Sequence, residues 1–380
     1  MAKVRKRTLP SGLVRWQASY VDGAGKRRAK LFERKSDGEA WLVETRHDLA
    51  RGLHTPESVL PTVKEAAALW IKRCNEKALE RSTVRSYEEH VDLHIVPFIG
   101  ALKLSGMNAP AVNAFADKLR EEGRSPEMVR RVVRSLGAIF RESRRRGLST
   151  VDPTAGIDLH LARRKDRRPV IPTKAELQAM IAGATGRWRP LILVAIFCGL
   201  RASELRGLPW SDVDFEGRQI NVTQRADVFH KIGLLKSEAA YRSVPCPPMV
   251  LNALREWKLV CPKGELGLVF PNGVGNVEAL SNIILRGFDP IQIAAGIATT
   301  QAAKDGAGSP ISLTVAKYGM HALRHACASL WIENGMNPKR IQRLMGHSSI
   351  QMTFDTYGHL FDATEADQKA AEDIQIRLLG

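Results

Sequence analysis

The chain has 380 residues and 44% hydrophobic content, enough for cores in two or three domains and too much for global disorder. Its 57 Lys and Arg against 40 Asp and Glu give a formal net charge of +17, which implies a polyanionic partner: nucleic acid first, an acidic membrane surface second. No apolar run follows the basic residues 1–7, the longest apolar run (190–200) is too short to span a bilayer, and the five scattered cysteines form no C-x-x-C; a secretory signal and a membrane span are not indicated, and reduced thiols in a cytosol are.

Residues 1–55 read as a small α+β module. Val14, Trp16, Ala18 and Tyr20 alternate with Arg15, Gln17 and Ser19, a half-buried strand. Asp22-Gly23-Ala24-Gly25 makes a turn, and residues 26–32 return as a second strand carrying Lys26, Arg27, Arg28 and Lys30. Ser36-x-x-Glu39 reads as a capping box that opens a helix to about residue 50. So basic a sheet suits a DNA groove, or is a small sheet with a solvated basic face. Residues 52–61, with a glycine and two prolines, read as a linker.

Residues 62–148 are helical by pattern. The first helix, 62–78, carries Val63, Ala66, Ala67, Trp70 and Ile71. A second starts at Ser82, with Tyr87, Val91 and His94 on one stripe, and is expected to end before Pro97; a third runs from 110 to 122. Ser125-Pro126 opens a fourth, with Val129, Val132, Val133, Leu136 and Phe140 inward. Its outer face carries Arg130, Arg131, Arg134, Arg141, Arg144 and Arg145, read as lacking nearby acids and hence as DNA-backbone contacts. Residues 149–171, with Pro153, Pro169, Arg163, Arg164, Lys165, Arg167 and Arg168, read as a basic linker that tracks phosphates, or as a plain one.

The last block, 172–380, starts at a capping box, Thr173-x-x-Glu176. A buried helix, 189–198, ends at Gly199, and G-L-R-A-S-E-L follows at 199–205. Arg201 alone would pass for half of an ion pair with Glu204. Residues 219–223 and 236–245 read as strands, which puts Lys236 on a hairpin, and 249–260 reads as a helix. Residues 286–318 show no clear period and read as a partly helical or mobile insert. The tail repeats Ala363, Ala366, Ala370, Ile374 and Leu378 on one narrow apolar stripe that needs a covering surface, in its own protomer or a neighbour.

The chemistry concentrates between His321 and Tyr357: H-A-L-R-H at 321–325, M-G-H-S-S at 345–349 and D-T-Y-G-H at 355–359. Helical spacing lets His321, Arg324 and His325 share a face. Gly346 reads as a helix stop and Ser348 or Ser349 as the next cap, which leaves His347 at an elbow. A straight helix would carry Tyr357 roughly 15 Å from His347, so the elbow is what lets both serve one site. Arginine offers a planar fork to phosphate oxygens, histidines donate or move protons, and a tyrosine among cations becomes a nucleophile. Covalent phosphoryl transfer to tyrosine without a metal is the chemistry described. Zinc is the competing reading, because His321-x-x-x-His325 has the spacing of a helical metal pair; no glutamate lies between them and no cysteine pair is spaced as a partner.

On these motifs the chain resembles the tyrosine recombinase (phage integrase) family, whose signature is H-x-x-R, then G-H, then Y near the C-terminus. The resemblance covers 173–361 through matched motifs, including G-L-R-x-S-E-L and a lysine followed by R-S-V-P, and 62–148 loosely, through S-T-V-R-S-Y and P-F-I-G. It implies a fold mainly α with small β-sheets: an arm-type DNA-binding module (1–55), a helical core-binding domain (62–148), a basic linker (149–171) and a mixed catalytic domain with a C-terminal tail (172–380). It implies that Arg201 and Arg324 clamp the scissile phosphate, His347 hydrogen-bonds it, His321 assists proton transfer from Tyr357, and Lys236 protonates the leaving 5′ oxygen. His325 is left as a packed core histidine, and Lys26, Arg27, Arg28, Arg130, Arg131 and Arg134 as DNA contacts. The implied activity is site-specific recombination of double-stranded DNA attachment sites through a 3′-phosphotyrosyl link, with no cofactor or metal. The implied assembly is a homotetramer on DNA from monomers in solution, helped by a DNA-bending protein, in the cytoplasm at the nucleoid. A type IB topoisomerase-like enzyme and an inactive DNA-binding repressor are the alternatives.

Overall fold

Short-range chemistry sets most element ends in this chain. The computed structural model describes residues 3–23, 25–50, 60–159, 169–304, 306, 309–361 and 374–379. The chain divides into two units, Met1–Lys165 and Asp166–Gly380. The fold is mainly α with small antiparallel sheets, as the sequence predicts.

The first unit begins with a sheet of order β1-β2-β3: β1 (Lys3–Thr8), β2 (Val14–Val21) and β3 (Arg27–Phe32). The sequence reading lacked β1, whose burial pattern is almost wholly exposed and gives no apolar alternation. The turn after β2 is held by Asp22, which accepts from the Lys26 backbone N–H and from Arg28 Nε, both at 2.8 Å. Helix α1 (Lys35–Ala50) starts one residue ahead of Ser36, so Ser36 lies inside the helix and is not its cap. Ala18, Tyr20 and Leu42 form the small core between sheet and helix.

A second core belongs to the helices α2 (Val63–Glu76), α3 (Arg81–His90), α4 (Val96–Ile99), α5 (Ala109–Glu121) and α6 (Pro126–Arg145). Thr62 and Glu65 close a capping box on α2, and Asn108 and Ser125 cap α5 and α6. The chain does not stop before Pro97. A π-turn over Val91–Ile95 carries α3 into α4, and this wider spacing accommodates a proline with no N–H to give. Val129, Val132, Val133, Leu136, Ile139 and Phe140 bury one face of α6, each contributing about 1.5–3 kcal/mol. Its outer face does meet acids: Glu127 pairs with Arg130 and Arg131, and the buried Glu142 takes Arg73, Arg145 and Arg146. On α6 itself each acid lies one helical turn from the arginines it holds, and Arg73 reaches Glu142 from α2.

In the second unit α7 (Lys174–Gly183) is capped by the Thr173–Glu176 box, and α8 (Trp188–Cys198) is apolar on every side and buried throughout most of its length. Gly199 ends α8 in the left-handed region at φ 61°, where a Cβ would stand 3.0 Å from Cys327 Sγ, so only glycine fits. Next come α9 (Ala202–Gly207), β4 (Val213–Asp214), β5 (Gln219–Val222), β6 (Gln224–Ala226), β7 (Ile232–Leu234) and β8 (Arg242–Pro245). The sheets are β4-β5-β8 and β6-β7. Only the end of the expected strand 236–245 is a strand: Lys236 lies in the loop from β7 to β8, because a 3-10 turn over Glu238–Ala240 interrupts the extended run.

Helix α10 (Pro248–Val260) packs on α8. Helix α11 (Leu280–Ile283) then runs through a π-turn into α12 (Asp289–Ala294). The stretch read as an irregular insert contains an antiparallel hairpin, β9 (Ala298–Lys304) and β10 (Pro310–Ala316). Along β10 Ile311, Leu313 and Val315 alternate with Ser312 and Thr314, a period-two signal that the sequence reading passed over, and Ile311 and Leu313 stay exposed. The chain closes with α13 (His321–Glu333), α14 (Pro338–Met345) and α15 (Ile350–Tyr357). Gly346 stops α14 at φ 61° and Ser349 caps α15, which builds the elbow the sequence predicts at His347. The linker runs 51–59 and 160–168, with all five basic residues of 163–168, lie outside the described residues, as do tail positions Ala363, Ala366 and Ala370; Ile374 and Leu378 are exposed. Among the described residues no helix is long and apolar enough to cross a membrane.

Glu176 ties α7 to the end of β10: beyond its capping role it accepts from Lys317 Nζ at 2.7 Å and Tyr318 Oη at 2.8 Å. Burial works to raise its pKa, but the hydrogen bonds from Lys317, Thr173 and Tyr318 outweigh it and hold the carboxyl at about 2 against an ordinary 4.5. A depressed folded pKa stabilises above the unfolded value, so this contribution is complete above about pH 4.5 and is lost as pH falls toward 2. Glu176→Gln should flatten the acid limb of stability against pH in chemical denaturation; an unchanged limb would mean that Glu176 does not set it.

Candidate active site

Three arginines grip the end of α14. Arg242 Nε donates to the Leu344 carbonyl at 2.7 Å, an Arg324 terminal nitrogen donates to the Met345 carbonyl, and Arg201 Nη2 donates to the Gly346 carbonyl at 2.8 Å. These are the carbonyls left without helical partners where Gly346 turns the chain away. Arg324 also donates to the Gly199 carbonyl at 2.6 Å, so one guanidinium joins the end of α8 to the end of α14.

Glu204 balances part of this charge. It accepts from Arg201 Nη1 at 2.6 Å and from Arg242 Nη2 at 2.7 Å, and its second oxygen closes the capping box with the Arg201 N–H. Burial would raise its pKa, but the hydrogen bonds and charge of Arg242, with the charges of Arg201 and Arg324, hold it at about 2. One carboxylate against three guanidiniums leaves a surplus of positive charge in a half-closed site. The arginines differ in what they have left to give. Arg242 is buried and uses Nε, Nη1 and Nη2 within the protein. Arg201 and Arg324 each commit two of a guanidinium's five N–H donors, so both keep donors for an anion.

Tyr357 ends α15 at 1% exposure, in a small apolar cluster with Ala328, Ile332, Ile341 and Met345. Its hydroxyl lies 2.7 Å from His325 Nδ1, and the His321 ring stands edge-to-face on His325 with centroids 4.6 Å apart. His347 lies parallel to the Tyr357 ring at 6.4 Å, and its Nδ1 is 2.9 Å from the buried Thr353 Oγ1, which fixes the imidazole. Burial pushes the Tyr357 phenol above its ordinary pKa, against the field of Arg324. Burial lowers His325 and His347 to about 4 and lowers His321 as well, with Arg324 adding to each. Phenol and imidazoles are therefore neutral at physiological pH.

Of the sequence-predicted set, Arg201, His321, Arg324, His347 and Tyr357 come together around the elbow. Lys236 is exposed on its loop, six residues ahead of Arg242. Beside His347 opens a cleft of about 740 Å³, lined by Tyr241, Lys339, Arg340 and Arg343. In the first unit Arg131 and Arg134 line a cleft of about 440 Å³ with Ser82, Thr83, Ser86 and His90, which unites the S-T-V-R-S-Y segment with the arginine face of α6. Arg130 is half-buried against Glu127; Lys26 and Arg27 are exposed, and Arg28 is held by Asp22. Two residues escaped the sequence reading. His325 is not a packing histidine but the partner of the Tyr357 hydroxyl. Arg242 carried one usable signal, a charged residue on the inward register of β8 with Val244. Among the described residues no group of three or more His, Cys, Asp or Glu side chains is arranged to hold a metal ion.

Comparison with known proteins gives consistent matches along the chain. The model of the phage integrase family matches residues 173–364, that of the phage integrase N-terminal domain 5–51, and that of the phage integrase central domain 63–160. Relatives include a tyrosine recombinase XerC-like protein of Caldanaerobacter subterraneus subsp. tengcongensis, 24% identical over 89% of this chain and 90% of its own. The prophage integrase IntR of Escherichia coli K12 is 26% identical over 93% and 89%. Among solved structures, the Tn1549 transposon integrase in complex with a circular intermediate DNA superposes with a TM-score of 0.65 at 20% identity, covering 83% of this chain and 99% of that one. A lambda integrase tetramer bound to a Holliday junction gives 0.58 at 16% identity, covering 92% and 93%.

Arg242→Met should destabilise the protein by about 3–5 kcal/mol, because it strips Glu204 and the Leu344 carbonyl of a buried partner. The double variant Arg242→Met/Glu204→Gln should recover part of that loss in thermal melting. Equal losses in the single and double variants would show that the pair is not coupled.

Proposed function

The chain belongs to the phage integrase family, and on that premise we propose that it is a site-specific DNA recombinase whose nucleophile is Tyr357. The observation that carries the assignment of residues is the cluster of guanidiniums with unspent donors beside a buried tyrosine. In this reading the Tyr357 oxygen attacks a backbone phosphorus, a 3′-phosphotyrosyl bond forms, and the bond to the 5′ oxygen breaks. Arg201 and Arg324 take the nonbridging oxygens with their free N–H groups and His347 adds a hydrogen bond, offsetting the charge that grows there. Lys236, exposed on its loop, supplies the proton to the leaving 5′ oxygen. A 5′ hydroxyl from the partner duplex then reverses the step on a new strand, so the bond energy is kept in the enzyme link and no nucleotide cofactor is consumed.

The other parts take the roles the family resemblance implies. Residues 1–55 act as an arm-type DNA-binding module, with Lys26 and Arg27 offered to phosphates. Residues 62–148 bind the core site through the cleft at Arg131 and Arg134, with Arg130 at its border. Residues 149–171 link them to the catalytic domain at 172–380. The partner is an attachment site in duplex DNA, and four copies assemble on two sites, as in the lambda integrase tetramer. A DNA-bending protein would bring arm and core sequences within reach of one chain, and the enzyme works at the nucleoid.

Tyr357→Phe should bind a nicked suicide duplex as wild type does and form no covalent adduct; an adduct in that variant would sink the nucleophile assignment. Cleavage by the wild type should persist in excess EDTA, and its loss on chelation would favour the zinc reading of His321 and His325. Deleting residues 1–55 should leave cleavage of a single core site and impair recombination of a long attachment site. Recombination of long sites at the full-length rate would rule out the arm role.

A further inference from the structure

We propose that His325 is the proton acceptor for the nucleophile: its Nδ1 takes the Tyr357 hydroxyl proton as the phenolic oxygen attacks the phosphate. The inference rests on the reading of Tyr357 as nucleophile. Its basis is geometric. A general base must lie within hydrogen-bond reach of the proton it removes, and Nδ1 of His325 is 2.7 Å from that oxygen. His321, to which the family resemblance gives this proton, stands behind His325 in edge-to-face contact. His347 has its Nδ1 turned to Thr353 and presents its ring face to the tyrosine. His325 is also placed to keep the contact, since on α13 it directly follows Arg324, whose guanidinium is anchored at both Gly199 and Met345.

The step balances. The O–H bond of Tyr357 breaks and its proton passes to Nδ1, giving an imidazolium. The oxygen's electron pair forms the bond to phosphorus, and the bond to the 5′ oxygen breaks as that oxygen gains a proton from a separate donor. On reversal the imidazolium returns its proton to the departing phenolic oxygen. The acceptor requires the His325 tautomer with its proton on Nε2.

The surroundings make the transfer conditional on substrate. The groups facing the pair are His321, Arg324 and Cys327 on α13 and His347 at the elbow, and Arg201 ahead of α9 acts on His321 and His347. Burial, His321 and Arg324 hold His325 down and burial holds Tyr357 up, so in the empty site the proton stays on the phenol. A phosphate seated on Arg201 and Arg324 would cancel the positive field that disfavours imidazolium. The nucleophile would then ionise only where there is a phosphorus to attack.

The test is single-turnover cleavage of a suicide duplex by the full-length protein. In His325→Asn an amide atom replaces Nδ1, so a hydrogen bond to the hydroxyl persists while basicity is lost. With DNA affinity and melting temperature unchanged, cleavage should fall about a hundredfold or more and lose its dependence on neutral imidazole in the pH profile. Placing 3-fluorotyrosine at 357, a more acidic phenol, should restore part of that rate. Cleavage within threefold of wild type, or a loss that fluorotyrosine does not relieve, would overturn the proposal. Should His325→Asn fail to fold, fluorotyrosine in the wild-type chain still decides: a cleavage rate insensitive to phenol acidity excludes rate-limiting proton removal by His325. Adduct formation by Tyr357→Phe would instead remove the reading on which the proposal stands.

Discussion

One helix end governs the catalytic unit. At the close of α14 the chain turns left-handed at Gly346 and exposes the carbonyls of Leu344, Met345 and Gly346 to Arg242, Arg324 and Arg201. A helix C-terminus carries partial negative charge, so it is a natural seat for cations, and a hydrogen bond with a charged partner contributes about 1.5–3 kcal/mol. The seat does not satisfy them fully. With Glu204 the only carboxylate among the described residues bonded to these guanidiniums, and two of the three retaining N–H donors, the folded protein keeps a concentrated demand for an anion. The same turn sets the elbow that brings Tyr357 back beside His347. Stability and chemistry therefore draw on one piece of backbone.

The parts legible in the sequence are those fixed within a few residues. The capping box at Thr173, the stop at Gly199, the cap at Ser349 and the face shared by His321, Arg324 and His325 all follow from local spacing. The parts that were not legible depend on distant or absent partners. Arg242 becomes structural only because β8 turns it toward Glu204, 38 residues away. His325 gains its role only when α15 delivers Tyr357, 32 residues on. Pro97 reads as a helix end unless a π-turn absorbs it.

The first unit shows why counting arginines overstates a binding face. Along α6 some are retained by the protein itself: the buried Glu142 holds Arg145, Arg146 and Arg73. Others, Arg131, Arg134 and Arg141, line a cleft with hydroxyl-bearing side chains of α3. Burial of the acid separates the two groups. A carboxylate inside the helix bundle requires its cations and cannot release them cheaply, whereas the exposed Glu127 holds Arg131 only weakly. Arginines of one helix thus divide into braces and available contacts.

The three braces on α14 also bear on how the chain reaches its active form. Arg201 and Gly346 are 145 residues apart and Arg242 and Leu344 are 102; Arg324 reaches Met345 over only 21 residues but is also tied to Gly199, 125 residues back. Contacts of such span close late, because the entropy of the intervening loops must be lost before they form. A ribosome-bound or half-folded chain contains every reactive side chain up to its last residue made, yet lacks the frame that turns them on a phosphate. On the proposed assignment of these residues, competence to break DNA waits on the completed frame.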